Sequence, residues 1–437
     1  MTSSSLLCNP FCNPEMLEDL EKTRVMEIAP DVWMIEGYCR YVFLLEPPSG
    51  NIFIMRDGDM VLMMDSGHHP FYRPLILDVL KKLAAQGAKD LVLVMSHGHW
   101  DHGKNNDVIL EAGYESARFI LPEPEFHTLN IPDHMLGDFE KVKHYYDPLS
   151  VMPDGLKLFA AWAKNFPEYN EPQYQATWKL VESLPEEYDQ ARTREVWESV
   201  LKNVLCPDLG PYIRDRAEPL LLRDKEKRTY GDVEVWGWPV GRFFIIHDGS
   251  QSPGHVCVYD PLHKLMITGD ATLEINPPFF DCNFGACVDI CEKCLSMAEQ
   301  GHILLATDSH RTAQWWPRSQ AVWGVTPLLP MEMQDAARGR EDCVEFYRLW
   351  VEYFTTIRDE TLLAHSRIGE ATVAEIVEEL KKSKNKHVIL KLGLTLPNIP
   401  SMPGMLVARL LDETGASRRV DGDRILFTPA EKWNRLS

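Results

Sequence analysis

Three histidines and an aspartate lie within six positions of one another, at His97, His99, Asp101 and His102. Imidazole nitrogen and carboxylate oxygen are ligands that Zn²⁺, Fe²⁺ and Mn²⁺ accept. Gly98 lies among them and lets the backbone turn tightly, so that side chains close in sequence can converge. A solvated loop that is merely rich in histidine is the alternative interpretation, but the dense spacing favours a metal site.

Further metal-capable residues lie at the ends of apolar runs that we expect to be strands, namely Asp65, His255, Asp270 and His310. Strands followed by helices, twice along the chain, with such residues at strand ends, favour an α/β fold of the αββα sandwich type. His302 lies at the other end of the apolar run 303–306 and is the alternative to His310.

Five ordered motifs resemble those of the metallo-β-lactamase superfamily. They are Asp65-Ser66-Gly67, the run His97-x-His99-x-Asp101-His102, Ser252-Pro253-Gly254-His255, Thr268-Gly269-Asp270, and His310. The resemblance extends over roughly residues 30 to 320 and implies an αββα sandwich that holds two metal ions.

The resemblance also implies a role for each residue of these motifs. One ion would be held by His97, His99 and His255, the other by Asp101, His102 and His310, and both by the bridging carboxylate of Asp270. Asp65 would orient the ligand loop without binding metal itself. A metal-bound hydroxide would be the nucleophile, with Asp101 and Asp270 as the catalytic carboxylates. The expected cofactors are two divalent ions, Zn²⁺ first, with Fe or Mn as alternatives.

The pattern along the 437 residues indicates three parts. We expect a catalytic domain from 1–124 and 233–325, a helical insertion at 125–232, and a helical, winged-helix-like C-terminal domain at 326–437. The last of these ends in a hairpin signalled by Asp421-Gly422. Aromatic residues recur at helical spacing in the insertion, which is typical of a lid over the cleft or of a packing or dimer element.

Composition excludes several classes of function. Acidic residues outnumber basic ones 65 to 45, and the resulting charge of −20 disfavours binding to nucleic acid or to an anionic membrane surface. The sequence contains no apolar run that is long enough to predict a membrane span. The N-terminal residues do not resemble a secretory signal. We therefore expect a cytoplasmic protein whose ten cysteines are reduced. Four of them, Cys282, Cys287, Cys291 and Cys294, are expected to be buried thiols on a helix rather than cluster ligands.

These observations predict a metal-dependent hydrolase that acts on a small-molecule ester, lactone, thioester or amide. Lys104-Asn105-Asn106 replaces the Gly-Gly that is common in glyoxalase II-like hydrolases, which argues against a glutathione thioester. A non-haem di-iron oxygenase or oxidase on the same fold is the alternative, and a metal-dependent nuclease is a second one, disfavoured by the charge. The sequence is also compatible with a homodimer.

Overall fold

The computed structural model describes residues 23–37, 49–67, 72–129, 131–164, 170, 172–205, 215–312, 326–395 and 401–430. The β-rich run at 41–45, whose residue types predict a strand, lies outside these residues, as do His68 and His69, which follow the Asp65-Ser66-Gly67 motif. Two seven-stranded sheets form the framework of the described chain.

The strands of the first sheet lie side by side in sequence order. Strands β1 to β7 are Val25–Ala29, Val32–Ile35, Ile52–Asp57, Met60–Met64, Asp90–Val94, Ser116–Pro122 and Ala217–Leu220. Pairing is antiparallel from β1 to β4 and parallel from β4 to β7. Because β4 and β5 are parallel neighbours, their carboxyl ends meet at one edge of the sheet. Asp65 follows β4 at this edge, and the histidine run follows β5.

The second sheet has the order β14-β13-β12-β11-β10-β9-β8. Strands β8 to β14 are Glu226–Tyr230, Val233–Val240, Phe243–His247, Val256–Asp260, Leu265–Ile267, Leu305–Thr307 and Ala337–Arg338. Only the pair β12 and β13 is parallel among the described strands of this sheet. Asp270 and His310 follow these two parallel neighbours, so both residues lie at the same sheet edge.

Alternation along the strands determines which sheet face each residue covers. In β5, Val92 and Val94 belong to the core between the two sheets, whereas Leu91 and Leu93 face outward. The outward residues pack on helix α1 (Tyr72–Ala85), whose buried face is spaced at helical period. This strand is apolar on both faces because both faces are covered.

The described residues of the insertion contain four α-helices, which share a core with Phe279, Phe280, Met405 and Ala408. The helices are α2 (Ile131–Val142), α3 (Met152–Ala163), α4 (Pro172–Glu182) and α5 (Gln190–Val200). Trp178 and Trp197 are buried in this core, so self-packing accounts for them. The end of the predicted insertion differs from the expectation, because β7 and β8 lie within 125–232 and pair into the two sheets. The edge strand β8 is mostly charged or polar, which hides its strand signal in the sequence.

Helices α6 (Phe284–Glu299) and α7 (Gly339–Ile368) cover the outer face of the second sheet and complete the αββα sandwich. Cys287, Cys291 and Cys294 are buried thiols on α6, as predicted, whereas Cys282 is a buried thiol that lies just before this helix.

The C-terminal segment contains α8 (Val373–Leu380), α9 (Lys386–Thr395), α10 (Met402–Thr414) and the hairpin of β15 (Arg418–Asp421) with β16 (Arg424–Phe427). The hairpin expected at Asp421-Gly422 is confirmed. The apolar spacing of this segment also predicts helices at 373–382 and from about 403 to 413, and α8 and α10 lie there. Whether this segment is a winged-helix module stays a prediction. No helix in the described ranges combines the length and apolarity needed to cross a membrane.

Candidate metal centre

The motif residues of both sheets converge at the sheet edge where their strands end. The first sheet contributes the loop 96–102 after β5, and the second contributes Asp270 after β12 and His310 after β13. The predicted ligand side chains are all buried, with Asp101 the most exposed at 9%. The site therefore lies between the two halves of the sandwich rather than within either sheet.

One group of donors consists of Asp101, His102, Asp270 and His310, whose ligand atoms all lie within 4.8 Å of one another. His310 Nε2 lies 3.1 Å from Asp270 Oδ1 and 3.3 Å from Asp101 Oδ2. His102 Nε2 lies 3.5 Å from a carboxylate oxygen of each aspartate. These are the four residues predicted for one ion and its bridge.

A second group shares Asp270 with the first. His97, His99 and Asp270 also have their ligand atoms within 4.8 Å of one another. The Nε2 atom of His97 lies 3.6 Å from Asp270 Oδ2. Asp270 is thus the carboxylate common to both groups, which is the position that a bridging ligand must have.

His255 lies beside the second group but belongs geometrically to another one. Its Nδ1 contacts both oxygens of Asp248 at 2.8 and 2.9 Å, and its ring centre lies 5.2 Å from that of His97. The backbone N–H of Asp270 donates to His255 Nε2 at 3.0 Å. Since Nε2 accepts here, it carries its lone pair and Nδ1 carries the proton. That lone pair is directed at the Asp270 N–H, so a metal ion bound through Nε2 would have to displace this hydrogen bond. Its assignment to the first ion stays a prediction.

The loop that carries His310 is tied to the first sheet. The side-chain amide of Asn51 donates to the carbonyls of Asp308 at 3.1 Å and of Arg311 at 2.7 Å. Asp308 in turn accepts the backbone N–H of His310 at 2.9 Å. The alternative candidate, His302, lies outside the donor groups of the described residues, and its ring lies against Tyr230 at 6.2 Å.

Asp65 makes the contacts of an orienting residue. One oxygen accepts the backbone N–H of Ser96 at 2.7 Å. The other lies 2.8 Å from both the Ser96 hydroxyl and Nδ1 of His102. This contact leaves His102 Nε2 turned towards the two aspartates, as a second carboxylate behind a ligand histidine does in metal sites.

Two further carboxylates at the site carried no recognisable signal in the sequence. Asp248 is the partner of His255 already described, and the turn sequence Asp248-Gly249-Ser250 just before the Pro-Gly-His motif is the one hint of it. Glu125 is fully buried and joins two ligand loops. Its Oε2 accepts the backbone N–H of Gly98 at 2.8 Å, and its Oε1 accepts the backbone N–H of Gly254 at 2.7 Å.

The electrostatics of the pocket divide the ligand histidines into two sets. Burial acts to lower the pKa of three imidazoles, but the facing carboxylates outweigh it and raise the pKa of His102, His255 and His310. Burial, followed by the charge of neighbouring histidines, holds the pKa of His97 and of His99 well below the usual range. Neutral imidazole is the form that binds a metal ion. Burial acts to raise the pKa of Asp270, but the facing histidines outweigh it, and the pKa of this carboxyl is held well below the usual range.

The residues present fit two divalent ions. Three buried atoms at the centre have no hydrogen-bond partner among the described residues, namely His97 Nε2, His102 Nε2 and Asp270 Oδ1. Buried polar atoms are rarely left in this state, because each one costs free energy unless it has a partner. All three atoms face the shared space of the two donor groups, where an imidazole and carboxylate donor set suits Zn²⁺, Fe²⁺ or Mn²⁺.

The wall next to the histidines is aromatic. The ring of Phe279, in the loop after Asp270, lies edge-on to His99 with centroids 5.0 Å apart. Trp100 lies 6.5 Å from the same phenylalanine. Phe279 also packs into the core of the insertion, so the insertion and this rim loop form one continuous wall.

No protein-family model matches the chain, and no curated protein matches it significantly. Solved structures do match it. A beta-lactamase domain protein from Burkholderia ambifaria is 14% identical with a TM-score of 0.50, and the match covers 93% of each chain. A metallo-beta-lactamase family protein from Thermus thermophilus is 15% identical with a TM-score of 0.44, and the match covers 92% of this chain and all of that one. The stereoselective inverting sec-alkylsulfatase from a Pseudomonas species is 14% identical with a TM-score of 0.49, and the match covers 93% of this chain and 55% of that one.

Proposed function

The chain has the metallo-β-lactamase fold, and on that basis we propose that it is a metal-dependent hydrolase with a dinuclear centre. One observation carries the proposal. Asp270 lies between two buried groups of imidazole and carboxylate donors, and atoms of both groups lack any other partner in the described chain. Seven residues form the proposed ligand set: His97, His99, Asp101, His102, His255, Asp270 and His310.

Two divalent ions at such a site lower the pKa of a shared water and polarise a substrate oxygen. The protein's contribution is to hold the donors in place. Asp65 contacts Nδ1 of His102, so this ring presents Nε2 to the centre, and Asp248 holds the Nδ1 side of His255. Glu125 clamps the loops that carry both histidine motifs. Asp101, on the most open side of the ligand set, is placed to accept the proton of the attacking water.

The surroundings of the centre support a substrate class. Buried ligands and the aromatic wall of Trp100 and Phe279 favour a small molecule with an apolar part over a charged polymer. The charge of −20 also opposes a nucleic-acid substrate. We propose hydrolysis of an ester, lactone, thioester or amide, with Zn²⁺ as the first metal to test.

Metal loading and turnover test the centre together. Replacing His99 with alanine or Asp270 with asparagine should lower the metal content and abolish hydrolysis of a panel of aryl esters, lactones, thioesters, amides and phosphodiesters. His302→Ala is the matched control, since this histidine lies at the opposite end of β13. Undiminished activity in Asp270→Asn would refute the proposed centre.

The identity of the metal separates hydrolysis from oxidation. Protein purified without added metal should contain zinc and show no visible absorption. Iron in two equivalents, with a coloured protein that consumes O₂, would replace this proposal by the di-iron oxygenase. Turnover of phosphodiesters alone would favour the nuclease.

A further inference from the structure

A second cluster of metal-capable side chains lies outside the dinuclear centre. It consists of His127 at the end of the 3₁₀ helix Glu123–Leu129, His134 in α2, and Asp281 in the rim loop before α6. The ligand atoms of the three residues lie within 4.8 Å of one another. Residues of the insertion and of the sandwich therefore meet at one point.

The spacing matches an ion site that needs a small closure. His127 Nε2 and His134 Nδ1 each lie 3.9 Å from Asp281 Oδ2. Two ligand atoms that each lie about 2.1 Å from a tetrahedral ion are about 3.4 Å apart. Side-chain rotations that move these atoms by about half an ångström would therefore bring them to a common ion. Two imidazoles and one carboxylate select a transition ion such as Zn²⁺ over Mg²⁺ or Ca²⁺.

Burial makes the cluster different from an ordinary surface ion pair. The side chain of His134 is 2% exposed and that of Asp281 is 11% exposed. Nδ1 of His134 is the ring nitrogen that faces Asp281. The ring of His127 lies edge-on to that of His134, with centroids 4.9 Å apart. Two neighbouring imidazoles and a carboxylate in this setting gain from an ion that binds all three.

Lys141 is the competitor for the same carboxylate. Its Nζ lies 2.6 and 2.8 Å from the two oxygens of Asp281. The lysine side chain is half exposed, at 51%, so it can turn into solvent when an ion takes its place.

We propose that His127, His134 and Asp281 form a third divalent-metal site of the Zn²⁺ class, which fastens the helical insertion to the rim loop. The position of Asp281 gives this site a role. It lies two residues after Phe279, whose ring contacts His99. The ring of His134 itself lies 6.5 Å from that of His99, so an ion on Asp281 would fix the aromatic wall of the cleft beside the dinuclear centre.

The test is a count of bound Co²⁺ in protein stripped of metal by a chelator, by equilibrium dialysis and by the visible absorption of the ion. Wild type should bind one equivalent more than His127→Ala or Asp281→Asn. His144→Ala is the matched control, because it removes an exposed histidine that follows α2 and lies outside the cluster. Lys141→Met should tighten the additional site about tenfold, since removing a charge-assisted contact frees the carboxylate.

The difference between variants isolates this site from the dinuclear one. His102→Ala removes a predicted ligand of the dinuclear centre. A double variant that also carries His127→Ala should bind one equivalent of Co²⁺ fewer than His102→Ala alone. Equal Co²⁺ binding by wild type and His127→Ala would overturn the proposal, leaving a salt-bridge network only. Weaker Co²⁺ binding in Lys141→Met would overturn it as well.

Discussion

Glu125 offers the sharpest test of how the fold holds the metal centre. Its two carboxylate oxygens accept four hydrogen bonds from three segments, including 2.6 Å from the Ser252 hydroxyl and 3.2 Å from the Thr128 hydroxyl. The other two donors are the backbone N–H groups of Gly98 and Gly254, which flank His97 and His255. The carboxylate thus sets the distance between the two histidine motifs.

The change Glu125→Gln is isosteric and isolates this function. Its amide nitrogen cannot accept, so the donors on one side of the carboxylate lose their partner. A hydrogen bond to a charged group contributes about 1.5–3 kcal/mol to stability. The hydrogen bonds lost in this variant hold the loops whose spacing determines the geometry of the metal ligands. Groups that orient metal ligands change affinity by about 10–100-fold when they are replaced. We expect metal binding to weaken by a factor in this range, with kcat falling at non-saturating metal.

The measurement is competition of the protein with a chromogenic chelator, together with thermal unfolding of the metal-free and metal-loaded protein. Glu123→Gln is the matched control. It changes an exposed glutamate two positions earlier whose described contact is a single 3.3 Å bond to the Leu222 N–H. The reasoning would be refuted if Glu125→Gln had the same metal affinity and the same unfolding temperature as Glu123→Gln. The hydrogen bonds of Glu125 would then contribute nothing to metal binding or to stability.

Three further predictions follow from the same geometry. Asp248→Asn should weaken metal binding by about 10–100-fold, because it disturbs the orientation of His255, and the chelator competition measures it. Burial raises the pKa of Asp138 from 3.8 to about 7. The folded protein therefore holds a proton that the unfolded chain releases in this window, so the stability of wild type should fall as pH rises from about 4 to 7. Asp138→Asn should flatten that part of the urea-unfolding profile, and an unchanged slope would count against it. Phe279→Leu should raise KM for an aryl ester about twofold to tenfold relative to a methyl ester, with the metal content unchanged, because an aromatic contact beside His99 is lost.

The framework of the site could be predicted because its signals are local. The apolar run before His97 is a strand covered on both faces, and the strands before Asp65 and Asp270 have the same character. A metal-ligand residue that directly follows such a strand has its position fixed by the end of the strand. Their convergence needs only that parallel neighbours end at the same sheet edge.

The residues that escaped prediction act across long stretches of chain. Glu125 contacts Gly98 over 27 positions and Gly254 over 129 positions. Asn51 reaches Arg311 over 260 positions. A single acidic or amide residue has no periodicity, and its surroundings in the sequence do not reveal which backbone N–H or carbonyl it will meet. Strand β8 was missed for another reason, because its charged residues resemble a solvated loop.

Asp270 and His310 come from one sheet and the loop 96–102 from the other, and this division has a consequence for biosynthesis. The centre cannot exist in a nascent chain that has completed only the first sheet, since its remaining donors have not yet been made or packed. Joining segments so distant in sequence is slow, because loop closure must precede the contacts that reward it. Metal uptake would therefore be a late event, and an ion bound at the proposed centre would tie the two sheets together, so that its binding energy would add to the stability of the finished sandwich.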